Sequence, residues 1–211
     1  HDALPIFSLP AMESATASRP RGALLRLFSR PIVAIGLLAC GLFFMGQFAL
    51  FTYVRPFLET VTHISTSGLS LILLAIGVAG FIGTLCVSTL LNARFYQTLI
   101  TLPLLMAAIA ATLLLVGHHV WPVAVLLSLW GMLATAAPTG WWTWIARTLP
   151  NDAEAGGGLM VAVIQLSIAL GSTAGGWAFD RLGWQSAFGL SGILLLAAVG
   201  MTLLTSRQPA K

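Results

Sequence analysis

The sequence predicts an all-α integral membrane protein, with six transmembrane helices arranged as two inverted three-helix repeats. Three observations carry that prediction. Of 211 residues, 58% are hydrophobic and only 8% charged, against roughly 25% charged in a soluble domain. The mean hydropathy is +0.94, so most of these side chains need lipid as their solvent. The few charges also leave long uncharged runs at 31–54, 60–93, 95–146, 155–179 and 182–206.

A bilayer-spanning helix takes about 20 apolar residues. The runs at 31–54, 155–179 and 182–206 each hold one. The run at 60–93 holds one after the polar lead THISTSG. The run at 95–146 is too long for a single crossing, and it breaks at Gly117-His118-His119, with Trp121-Pro122 restarting the next helix. The expected spans lie near 32–56, 68–91, 97–116, 121–146, 157–179 and 185–205. Span two carries Gly77, Gly80 and Gly83; span five carries Gly171, Gly175 and Gly176. These are the middle helices of two three-helix units of opposite orientation, a transporter design. Small residues at helical spacing let backbones approach closely.

The basic residues set the orientation. With the N-terminus in the cytoplasm, the inner segments hold Arg19, Arg21, Arg26, Arg30, Arg94, Arg147, Arg207 and Lys211, and the outer ones only Arg55 and Arg181. That bias satisfies the positive-inside rule. Trp121, Trp177 and Trp184 then fall at the outer interface, and Trp141, Trp142 and Trp144 near the inner one, as belts of Trp do. The net charge of +4 and pI near 9.8 do not mark a nucleic-acid binder, because ten scattered Lys and Arg make no basic stripe or stacking platform. The chain opens at His1 with a polar stretch to residue 20 and no signal-peptide pattern, and it is read as part of a longer chain.

Little in the sequence supports catalysis. GLSG at 189–192 matches the G-x-S-G of an intramembrane serine protease, but that chemistry needs a base for Ser191, and the last histidine is His119, far upstream. Cys40 and Cys86 lie singly in apolar runs, and His118-His119 has no carboxylate or thiol nearby. Neither metal nor cofactor is expected. A stand-alone six-span membrane enzyme is therefore the weaker reading.

Polar residues inside spans are the better candidates. Gln47 and Gln165 lie near the middle of spans one and five, where an amide facing lipid is costly. In span four, Trp130, Ala134, Ala137, Trp141 and Trp144 share a face within about 80° at 100° per residue. Such a face either stacks a flat ligand or combines an interfacial belt with one packed Trp. With Tyr53, these residues form the candidate solute cavity: Gln47, Tyr53, Trp130, Trp141, Trp144 and Gln165. The stretch FTYVRPFLET places Arg55 and Glu59 four apart beside Pro56. They either anchor a helix end by snorkelling or form an outer gate. No Asp or Glu sits mid-span, so a proton carrier is not expected in these residues.

The segments GQFALFTYVRPFLETVT, WGMLATAAPTGWWTWIART, VAVIQL and GSTAGGWAFDRLGW carry a resemblance over nearly the whole chain. It resembles the C-terminal half, helices seven to twelve, of a major facilitator superfamily transporter. Within the drug:proton antiporter branch it is most similar to bacterial purine ribonucleoside efflux permeases. LLNARFYQ departs from the D-R-x-G-R motif that such proteins often carry. The resemblance implies a small-molecule substrate, protons as coupling ion, the lipid bilayer of a bacterial inner membrane, and a partnering N-terminal six-helix half. It makes residues 1–29 the tail of a central cytoplasmic loop, 30–206 the helical bundle and 207–211 a cytoplasmic tail. Sugar or multidrug efflux is the alternative within the superfamily. A six-span protein that dimerises to complete a transporter is the alternative architecture.

Overall fold

The computed structural model describes residues 30–208, so the expected loop at 1–29 and the last residues of the tail lie outside them. The described residues form α1 (Pro31–Phe51), α2 (Val54–Thr60), α3 (Thr66–Val116), α4 (Val120–Thr148), α5 (Ala153–Leu182) and α6 (Trp184–Ser206). Five helical stretches are long and apolar enough to cross a membrane, with α1 and α2 counted together as one of 30 residues.

Helix α1 starts at Pro31, where proline's missing N–H costs nothing. It stops at Phe51, and two turn residues, Thr52 and Tyr53, separate it from α2. Pro56 explains the place. A proline removes the bond to the carbonyl four residues back, which is that of Thr52. The sequence reading ends span one at Pro56; the helix yields one turn earlier, at Thr52 and Tyr53. Thr52 Oγ1 donates instead to Phe48 O at 2.8 Å.

Helix α3 has 51 residues. Straight, it would run about 77 Å at 1.5 Å per residue, over twice the roughly 30 Å of a bilayer core. It doubles back at Arg94, whose φ and ψ of −147° and 67° are not helical. The two ends of α3 consequently share one end of the bundle. Thr62, before α3, donates its hydroxyl to the carbonyl of Gly117, after it, at 2.8 Å. Where two separate spans are expected near 68–91 and 97–116, the helix has two limbs around a one-residue break.

Helix α1 packs against α5 and α6, and α4 packs against α3. Both α1–α5 and α3–α4 are glycine seams. A Cβ on Gly171 or Gly175 of α5 would strike the Met45 or Ala49 carbonyl of α1. A Cβ on Gly83 of α3 or Gly131 of α4 would strike the Met132 or Ile76 carbonyl across the other seam. Thr135 adds a bond across that second seam to Gly80 O at 2.8 Å. Helix α6 closes the bundle: Ser191, fully buried, donates to Gly46 O of α1 at 2.6 Å. The serine of GLSG thus has its hydroxyl committed to a packing bond.

Candidate functional site

The candidate cavity residues do not share one surface. Trp130, Trp141 and Trp144 are at most 1% exposed, as are most of the α4 face they define, with Ala134 and Ala137 also buried. The periodicity therefore identified the face that α4 turns into the bundle. Trp141 and Trp144 meet edge to face with ring centroids 5.9 Å apart. Trp144 also fills the space left by Gly36 of α1, where a Cβ would enter its ring. Trp142, between them, faces outward.

Three buried polar atoms of this set have no hydrogen-bond partner: Gln47 Oε1, Trp130 Nε1 and Trp144 Nε1. A buried donor or acceptor left unpaired costs about 1–3 kcal/mol, so such atoms mark places where a polar ligand or water gains binding energy. Gln165 lies elsewhere, on the exposed face of α5. No hydrogen bond or ring contact joins Gln47, Trp130 or Gln165 to another member of the set among the described residues.

Tyr53 sits at the α1–α2 break. Its hydroxyl donates to Ser172 O of α5 at 2.8 Å, and its ring stacks on Phe179 at 5.4 Å. Gly176 opposes the hydroxyl so closely that a Cβ would collide with it. Thr52 Oγ1 lies 2.9 Å from Ser172 Oγ. The break is thus tied to α5 through Ser172, a residue that sequence reasoning did not single out; a lone serine among glycines gave no periodic signal. Arg55 Nε donates to Glu59 Oε1 at 2.9 Å. With side chains 73% and 43% exposed, this pair contributes little to stability and leaves the guanidinium largely free.

No known protein-family model matches the chain. It is 56% identical over 208 residues, 96% of its length, to "Transcription regulatory protein OpdE" of Pseudomonas aeruginosa. It is 39% identical over 189 residues, 90% of its length, to "Purine ribonucleoside efflux pump NepI" of Salmonella enteritidis, and 38% identical over the same length to that of Salmonella typhimurium. The chain spans about half the length of the curated relatives it matches: 51% of OpdE and 47% of the NepI proteins. Five apolar helices packed through glycine seams, with similarity to an efflux pump over 90% of the chain, describe a multi-pass membrane protein.

The end of the bundle that carries the α1–α2 break also gathers an aromatic cluster. Phe57 of α2 lies 5.1 Å from Trp184 and 4.7 Å from Phe188, both of α6. Trp184 is therefore a packing residue as well as an interfacial type. At the opposite end, Arg147 of α4 lies over the Phe95 ring at 4.3 Å, beside the Arg94 reversal. This cation–π contact ties the two elements at the place where the D-R-x-G-R motif is lacking.

Proposed function

We propose that the chain is the C-terminal half of a secondary active transporter of the major facilitator type that exports purine ribonucleosides by proton antiport. The observation that carries the reading is the 39% identity to a purine ribonucleoside efflux pump across 90% of this chain. On this reading the two limbs of α3 are separate crossings, making six, with both termini in the cytoplasm of a bacterium and the bundle in its inner membrane. The two three-helix units are inverted repeats. The packing supports this: the α1–α5 glycine seam of one pairing has its counterpart in the α3–α4 seam of the other, as a two-fold relation between the units requires.

Gln47, Trp130, Trp144 and Gln165 serve the solute in this reading. Amides both donate to and accept from a nucleobase edge, and the unpaired indole N–H groups of Trp130 and Trp144 donate. Trp141 braces Trp144, and Tyr53 holds the outer end of α1 against α5. Arg55 and Glu59 form the outer gate. The carboxylate that carries protons belongs to the other six-helix half, since none lies mid-span here. The regulator's name describes a different class of protein. Ten scattered basic residues among apolar helices offer no nucleic-acid surface, so the pump is the better guide to this chain's chemistry.

The test is flux. Everted vesicles holding the full-length protein should accumulate labelled inosine when an inward-acid pH gradient is imposed, and lose that accumulation when it is collapsed. Vesicles holding these 211 residues alone should show none. Gradient-driven uptake of sugars or cationic dyes in place of nucleosides would move the substrate assignment to the other branches. Robust flux by this chain alone would replace the missing half with a second copy.

A further inference from the structure

Two connections meet at the end of the bundle that carries the α1–α2 break. One joins α2 to α3 at residues 61–65; the other joins α3 to α4 at residues 117–119. Two bonds join them side by side. Thr62 Oγ1 donates to Gly117 O at 2.8 Å in a buried position. The His118 ring, through Nδ1, meets the carbonyl oxygen of Val61 at 3.2 Å. Gly117 has no room for a side chain, since a Cβ would press on the Trp184 ring at 2.8 Å and the Leu113 carbonyl at 3.0 Å. His63, directly after Thr62, takes φ = 56°, an uncommon conformation for a residue with a Cβ. The His118 ring stands edge-on to Trp184 at 6.2 Å.

We propose that His118 is a proton-operated clasp that holds the half-helix α2 against the bundle. A carbonyl oxygen only accepts, so Nδ1 must carry a hydrogen for this bond to exist. A neutral imidazole has one N–H, and the bond holds only in one of its two tautomers. The imidazolium has an N–H at both nitrogens, so protonation guarantees the donor and adds charge to the bond. His118 is exposed, so protons reach it from the aqueous side. The bond it makes fixes the chain just after α2, and α2 is joined to α1 only through the two turn residues Thr52 and Tyr53. When His118 is protonated, the donor is always in place and α2 is tied at its far end; when it is neutral, the tie holds only in the Nδ1–H tautomer, and in the other tautomer Thr62 and the buried Val54, Phe57 and Leu58 alone hold α2.

The other charged groups at this end leave that switch to His118. On α2, Arg55 and Glu59 pair with each other. His63 and His119 flank the two connections, and Asp180 and Arg181 end α5 with adjacent opposite charges. On α6 the neighbour is Trp184, which is uncharged. Among the described residues no ion pair reaches His118.

The test reads distance, not flux, so its outcome is separate from that of the transport reading. The full-length protein, with Cys40 and Cys86 replaced, carries spin labels at Thr60 and Val120, both exposed. Distances are measured in nanodiscs at pH 5.5 and pH 8, a range across which histidine changes charge. The expected result is a single narrow distance at pH 5.5 and a second, longer component several-fold more populated at pH 8. H118A should show the longer component at both values. H118Q, an uncharged donor, should respond to neither value and stay near the acid distance. T62V should enlarge the pH effect. A wild-type distribution that is the same at both values overturns the proposal. So does an H118A protein that keeps the pH response, which would assign the switch to His63 or His119.

Discussion

The Thr98 hydroxyl donates to the carbonyl oxygen of Leu90, eight residues earlier, at 3.2 Å. In a straight helix those residues are about 12 Å apart along the axis, so the bond exists only because α3 reverses at Arg94. Thr98 also donates to Arg94 O at 2.9 Å, so one side chain caps the turn from both sides. The reversal fixes the topology to be expected in a membrane. Single cysteines at His119 and Gln185 should react with an impermeant reagent from one side, and those at Gln97, Asn151 and Gln208 from the other. A cysteine at 151 that labels from the same side as 119 overturns the six-crossing arrangement.

The glycine seams should show themselves as stability. Gly171 faces a backbone carbonyl, Met45 O, which cannot move aside as a side chain tip can. Gly171→Val should therefore destabilise the protein by about 1–3 kcal/mol or more, the usual cost of overpacking. At Gly200 of α6 a Cβ would have nothing within 4 Å, so Gly200→Ala should leave stability unchanged or raise it by up to about 1 kcal/mol through helix propensity. Thermal unfolding in detergent separates the two. Equal losses for both variants would mean that the seam is not a close approach.

Tyr53 and Ser172 make a second, finer test. Tyr53→Phe keeps the stack on Phe179 and loses only the bond to Ser172 O, so it should cost about 0.5–1.5 kcal/mol. Ser172→Ala keeps that bond, because the acceptor is the backbone carbonyl. It loses only the exposed contact with Thr52 Oγ1 and should fall within about 0.5 kcal/mol of the parent. The opposite ranking would move the weight of the tie to α5 from Tyr53 to Thr52.

What the sequence showed and what it hid divide along physical lines. The apolar runs and their punctuation were legible, because lipid demands about 20 uncharged residues per crossing and Gly117-His118-His119 interrupts one run visibly. That Trp130, Trp141 and Trp144 share one face of α4 was legible from the period, though not that this face is packed. The break after α1 falls a turn before Pro56, where the sequence reading ended span one, because proline acts on a carbonyl four residues back as well as on its neighbour. The burial of Trp141 and Trp144 was hidden: an interfacial Trp and a core Trp have the same sequence signature, and Gly36, which admits Trp144, lies over a hundred residues away. The links through Ser172 and Thr62 were hidden for the same reason: the Tyr53 hydroxyl meets the backbone carbonyl of Ser172 and the Thr62 hydroxyl that of Gly117, each far away in sequence.

The last prediction concerns which groups bind the solute. Arg55 cannot carry protons through a cycle, because arginine does not lose its proton in proteins. Its side chain is 73% exposed and already paired with Glu59, so in the full-length protein Arg55→Lys should keep inosine affinity within a few-fold. Gln165 lies on the open face of α5, where its amide is available to a ligand, and Gln165→Ala should weaken binding about ten-fold, or 1.4 kcal/mol. Trp130 needs a subtler change. It is fully buried, so Trp130→Ala would cost about 3–5 kcal/mol of folding energy and confuse binding with collapse. Trp130→Phe keeps an aromatic ring and removes the unpaired indole N–H with a smaller loss of buried volume than Trp130→Ala. If that donor meets the solute, affinity should fall roughly two- to twelve-fold, the value of one hydrogen bond at about 0.5–1.5 kcal/mol. Calorimetric titration of the three variants with inosine decides it. If Arg55→Lys abolishes binding while Gln165→Ala and Trp130→Phe leave it intact, the binding group is the charge at the helix end and the buried amides and indoles serve packing alone.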